Sequence, residues 1–146
     1  MEKIASFQKD HDKLQPGLYA QTDKNLITTF DLRFKKPNAG DYITPKALHT
    51  IEHLLATVLR NSEKKNDIVY FGPMGCRTGF YLLTLRLSFE EVLALLKESI
   101  KKALALEEVP GSKREECGNY LEHDLAAAKE ELKTYLLILD GVEAHS

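Results

Sequence analysis

The sequence predicts an α+β protein, a single-domain antiparallel β-sheet layered with α-helices. Three observations carry this expectation. Apolar residues alternate over 26–34, and two further strand-like runs, 68–71 and 79–87, are joined by a connection too short for a parallel crossover. Three other segments, 45–60, 88–106 and 119–139, carry apolar residues at helical spacing, so strands and helices are interleaved along the chain.

Taken in order, Leu26, Thr28, Phe30, Leu32 and Phe34 fall on one face of the first strand, with Asp31 and Arg33 on the other, the pattern of a half-buried strand. The stretch "KKPNAGDY" then reads as a loop, and Thr44 followed by Pro45 supplies an N-cap and a proline at the first helical position. The helix runs to about Arg60, with Leu48, Ile51, Leu54, Leu55, Val58 and Leu59 forming a stripe wide enough to pack on more than one side. The runs "IVYF" and "GFYLLTLRL" flank the glycine-rich "GPMGCRTG". Ser88 and Glu91 make a capping box that opens the second helix, which ends before the "VPGSK" break. The last helix is expected from Asn119 to Leu139, about five turns, with a polar tail from Asp140.

The chain of 146 residues is long enough to bury a core as one domain over 1–146. Its 43% hydrophobic and 29% charged content, with a formal net charge of −2, describes a globular protein and gives no sign of a nucleic-acid partner. The N-terminal "MEKIASFQKD" lacks the apolar core of a signal peptide, and no run approaches the roughly 18 apolar residues of a membrane span, so a cytoplasmic location is expected.

The chemistry gathers in "ALHTIEHLL". On a helix His49 and His53 stack one turn apart on one face, and Glu52 lies beside them. This offers two imidazoles to a divalent metal with a carboxylate next to them that can move protons. The same spacing also arises where buried histidines merely satisfy hydrogen bonds, so a third ligand decides. Cys117 in "REECGNYLEH" is a candidate, since two nitrogens and one thiolate leave a fourth position open for water or substrate; His123 and several glutamates compete for the role. Cys76, between glycines and before Arg77, is a second thiol, presented by backbone free to turn sharply and beside a positive charge that favours thiolate.

Together "HTIEH", "GPMGCRTGFYL" and "ECGNY", with "SFQKDHDKL" and "TFDLRF" followed by "PN", resemble the S-ribosylhomocysteine lyase (LuxS) family, in family order from about residue 6 to residue 121. The resemblance implies a homodimer with two active sites at the subunit interface. Each would hold one divalent metal, natively Fe²⁺ and often replaced by Zn²⁺, on His49, His53 and Cys117. The implied reaction cleaves the thioether of S-ribosylhomocysteine to homocysteine and 4,5-dihydroxy-2,3-pentanedione, the autoinducer-2 precursor of quorum sensing, within the activated methyl cycle. A thioether leaves readily only when a carbonyl lies β to it, so the sugar carbonyl must first migrate by enolisation, after which sulfur departs by β-elimination. The metal acts as electrophile toward the developing enediolate, while Cys76 serves the early proton transfers and Glu52 the later ones. Ser6, His11 and Arg33 match positions that line the substrate pocket, where an arginine can hold a carboxylate or sugar oxygens; read without the family, Arg33 is equally half of a surface pair with an acid.

One departure stands out. Many members carry aspartate-isoleucine-serine before the proline of the glycine loop, where this chain has Tyr70, Phe71 and Gly72, so one substrate contact is altered while the metal and both bases are untouched. Two rival readings remain at this point. An inverted-motif zinc peptidase shares the histidine-glutamate pattern but takes a glutamate as third ligand, is a much larger chain and has no use for Cys76. A non-catalytic metal- or ligand-binding homologue is the other, and Tyr70 is what favours it.

Overall fold

A computed structural model describes residues 10–142. The chain folds in the order β1 (Gly17–Thr22), β2 (Ile27–Arg33), α1 (Pro45–Arg60), β3 (Ile68–Pro73), β4 (Gly79–Leu85), α2 (Phe89–Leu104) and α3 (Leu125–Asp140). The strands form one antiparallel sheet in the order β1-β2-β4-β3, and the three helices pack on one another, with α1 against β3 and α3 against β1. This is the α+β arrangement that the sequence predicts. No helix among the described residues is long and apolar enough to cross a membrane.

Local chemistry sets the element ends. The Thr44 hydroxyl accepts from Ala47 N–H and Pro45 occupies the first turn of α1, while Ser88 and Glu91 close the expected capping box on α2. One side of α1, Ile51, Leu54, Leu55 and Leu59, is fully buried against Phe80, Leu82, Leu96 and Leu132 in a continuous core.

Four expectations need correction. The first strand begins at Ile27, because Leu26 takes a left-handed φ of 65° in the turn whose amides Asp23 caps. That strand is not half-buried toward its end: Phe30, Asp31, Leu32 and Arg33 are all buried, since Arg33 and Asp31 neutralise each other on their shared face. Residues 17–22, to which the sequence reading gives no structure, form the edge strand β1. The last helix starts at Leu125 rather than Asn119, because Asp124 caps it by accepting from Ala127 N–H, and the residues before it are drawn toward α1.

Gly79 sits opposite Arg33 in the β2–β4 register, and a Cβ there would overlap the Leu32 carbonyl oxygen. Tyr135 of α3 donates its hydroxyl to the Gly17 carbonyl (2.9 Å) and stacks on Phe34 with ring centroids 4.1 Å apart, tying α3 to β1 and to the end of β2. Burial first, with Asp31 and Tyr19 as lesser contributors, pushes its phenol well above the ordinary tyrosine range.

Two outcomes are expected. Gly79→Ala should lower unfolding free energy by about 3 kcal/mol in urea titration, because backbone must move to admit the methyl. The Tyr135 phenol binds its proton more tightly folded than unfolded, so its stabilisation is complete below about pH 10 and is lost as pH rises beyond it, by up to about 1.4 kcal/mol per pH unit. Tyr135→Phe should remove that share of the alkaline slope.

Candidate metal centre and thiol pocket

Helical spacing on α1 brings His49 and His53 together with their Nε2 atoms 3.1 Å apart. Their tautomers follow from their other nitrogens. His49 Nδ1 donates to the Glu122 carbonyl (2.9 Å) and His53 Nδ1 to the Pro110 carbonyl (2.8 Å); a carbonyl only accepts, so both protons sit on Nδ1 and both Nε2 lone pairs face each other. Such lone pairs repel unless a cation lies in front of them. Cys117 Sγ, presented by a turn in which its N–H donates to the Lys113 carbonyl, lies 3.6 Å from His49 Nε2 and 3.8 Å from His53 Nε2. Ligands at tetrahedral angles around a metal, about 2.0 Å from nitrogen and about 2.3 Å from sulfur, stand about 3.3 Å (N to N) and about 3.5 Å (N to S) apart. The three donors stand at distances that suit a single metal ion.

His123 joins them. Its Nε2 is 3.9 Å from Cys117 Sγ, and the four donor atoms lie within 4.8 Å of one another, a group able to hold a metal ion. Its ring stacks on His49 at 4.2 Å, and its Nδ1 is 3.0 Å from the Thr50 hydroxyl, which also accepts from Asp124 N–H (2.8 Å). Burial, and then repulsion whenever His49 or His53 carries a second proton, holds His123 below the ordinary histidine range. A contender for third ligand in the sequence thus stands as a fourth donor, looser than the other three.

Glu52 is half-buried one residue from His53 and makes no hydrogen bond or ion pair among the described residues, which leaves its carboxylate available. Cys76 lies elsewhere, exposed in the turn between β3 and β4 and beside a cavity of about 320 Å³ lined by His11, Arg33, Tyr42, Met74 and Thr78 among others. The sequence reading assigns the sharp turn to glycine, but Arg77 takes the left-handed φ of 61°, and its guanidinium donates to the Ile43 carbonyl and lies over the Tyr42 ring. Arg33 lines the same cavity while donating to both Asp31 oxygens (3.1 and 2.7 Å) and to the Thr78 hydroxyl (2.7 Å), a buried pair with an acid where the sequence suggests a surface one. Ser6 lies outside the described residues. Tyr70 is half-exposed on β3, just past a register shift, with its hydroxyl over Gly72 where any Cβ would collide.

Sequence reasoning missed the supporting groups. The Pro110 and Glu122 carbonyls leave no side-chain signal, although Gly111, at a φ of +67° next to Pro110, marks the turn that aims one of them. Thr50 and Thr78 carried only adjacency to His49 and Cys76.

A sequence model described as S-Ribosylhomocysteinase (LuxS) matches residues 4–143. Among similar proteins, each named S-ribosylhomocysteine lyase, that of Borreliella afzelii is 46% identical over 98% of this chain and 96% of its own. That of Finegoldia magna is 41% identical over 98% and 95%, and that of Phocaeicola vulgatus 46% over 93% and 89%.

Competition titrations with a chromophoric chelator should find one Zn²⁺ or Co²⁺ bound per chain. His49→Gln, His53→Gln or Cys117→Ser should each weaken binding more than about 100-fold, beyond what loss of an outer partner costs, and His123→Gln should weaken it by less than that.

Proposed function

This chain belongs to the S-ribosylhomocysteinase (LuxS) family, and from that premise we propose that it cleaves the thioether of S-ribosylhomocysteine, giving homocysteine and 4,5-dihydroxy-2,3-pentanedione. The observation that carries the reading is the pair of Nε2 lone pairs facing each other beside Cys117. A divalent metal there, Fe²⁺ natively or Zn²⁺ in its place, supplies electrophilic stabilisation of negative charge developing on the sugar oxygens.

The protein's own groups do the rest. The Cys76 thiolate takes the proton from one sugar carbon, becomes a thiol and returns that proton to the neighbouring carbon, while the hydroxyl proton passes from the oxygen that becomes the carbonyl to the one that was, which moves the carbonyl along the chain. Glu52, with no competing partner among the described residues, removes the later proton whose loss expels homocysteine sulfur. His11 and Arg33 line the pocket, with Arg33 oriented by Asp31 rather than free to reach, and by family position Ser6 belongs to the same substrate-binding set. Tyr70 lies on β3 outside the lining of the Cys76 cavity, so its presence is compatible with the same chemistry.

The Cys76 cavity is lined by none of the four metal-cluster residues, nor by Glu52. This favours a homodimer in which the thiol pocket of one protomer faces the metal cluster of the other. We place the whole chain, 1–146, in one such lyase domain, working in the cytoplasm, where its product can feed autoinducer-2 synthesis and quorum sensing or simply leave with thioether recycling.

Anaerobic, Fe²⁺-loaded protein should release free thiol from S-ribosylhomocysteine, and Cys76→Ala and Glu52→Gln should each abolish release. Mixing these two variants and allowing subunits to exchange at random should restore about a quarter of parental activity, because half the dimers are mixed and each has one intact site. A mixture that stays inactive would place both bases in one chain, and no release by loaded parent would remove the assigned substrate.

A further inference from the structure

We infer that Thr78 is a positioning residue that keeps Cys76 hydrogen-bonded in both of the protonation states through which the thiol must pass. The inference rests on the reading of Cys76 as the early proton carrier. A hydroxyl has one hydrogen to give and two lone pairs to accept with. One lone pair of Thr78 Oγ1 is committed, because Arg33 Nη1 lies 2.7 Å away and a guanidinium can only donate. Cys76 Sγ lies 3.0 Å from the same oxygen and is the other partner in reach. When Cys76 is a thiolate, the Thr78 hydrogen points to sulfur. When Cys76 has taken a proton from carbon, its S–H points to the remaining Thr78 lone pair and the hydroxyl hydrogen turns away. The sulfur gains and gives up its proton with one neighbour reorienting by rotation about a single bond.

The residue is built to stay in place while its hydroxyl turns. Thr78 is 1% exposed, and its carbonyl accepts from both Phe34 N–H (2.8 Å) and Lys35 N–H (2.9 Å), which locks the turn to the end of β2. Arg33 is in turn fixed by both oxygens of Asp31, so a buried chain of Asp31, Arg33 and Thr78 ends at an exposed thiol. Arg33 thereby contributes to Cys76 through Thr78, by polarising the hydroxyl that donates to sulfur. Valine has the same shape as threonine and neither donates nor accepts.

The test uses metal-loaded full-length protein and iodoacetamide, with alkylation of the Cys76 peptide followed by mass spectrometry. Near pH 7, Thr78→Val should be alkylated about tenfold more slowly than the parent, and near pH 9.5, where an ordinary thiol is mostly ionised, the difference should shrink to less than about threefold. Thr78→Ser, which keeps the hydroxyl, should stay within about threefold of the parent at both. A purely structural role would change access to the thiol equally at both pH values, so an unchanged ratio overturns the inference, as does a parental rate in Thr78→Val or a slow Thr78→Ser. If Thr78→Val does not fold, Thr78→Ala is judged by the same criterion. Thiol release surviving in Cys76→Ala would instead remove the proton-carrier reading, an outcome that these alkylation rates do not depend on.

Discussion

A guanidinium buried to 2% exposure has to be given acceptors, and much of this fold is the consequence. Arg33 finds them in Asp31, two residues back on the same face of β2, and in Thr78 at the head of β4. For Thr78 to reach, β4 must begin directly opposite Arg33, and Gly79 at that position lets the two backbones close without a side chain between them. The Thr78 carbonyl then gathers Phe34 and Lys35, which fixes where β2 stops, and Phe34 stacks on Tyr135, which fixes α3. Removing either member of the pair would strip the other buried charge of its counter-ion, a far larger loss than the pair's own net worth.

The metal cluster and the proposed thiol centre are assembled on one rule: a side chain offered to chemistry is oriented by a group that takes no part in it. Backbone carbonyls choose the tautomers of His49 and His53, and hydroxyls stand behind His123 and Cys76. The division suits a reaction that needs both an electrophile and a mobile proton. Imidazoles clamped at Nδ1 hold their lone pairs still, whereas a thiol that must change state keeps a neighbour able to rotate.

What was legible in the sequence was what local chemistry decides. Thr44 and Pro45 gave the start of α1, Ser88 and Glu91 that of α2, and period-2 alternation marked β2 and β4. The metal cluster was legible as well, because two of its donors share a helix face and Cys117 sits in a recognisable motif. Other features depended on distant partners. β1 is an exposed edge strand with little alternation, held by its pairing with β2 and by Tyr135. Residues 119–124 have helical composition, but their polar groups are spent on α1: the Glu122 carbonyl on His49, the Asp124 N–H on Thr50. The burial of Arg33 was hidden because an acid two places away on the strand reads the same whether solvent or protein covers that face.

Those same attachments decide the fate of the long connection between α2 and α3. It has no helix or strand of its own, and the contacts that matter, from Pro110, Cys117, Glu122 and Asp124, all run to α1, most of them through the histidines. A bound ion would therefore act as a rivet as well as a reagent, adding to the Pro110, Glu122 and Asp124 hydrogen bonds that offset the chain entropy of closing so long a loop. Ion binding and ordering of this segment would then be one coupled event, and the apparent affinity for the ion would include the cost of holding the loop closed.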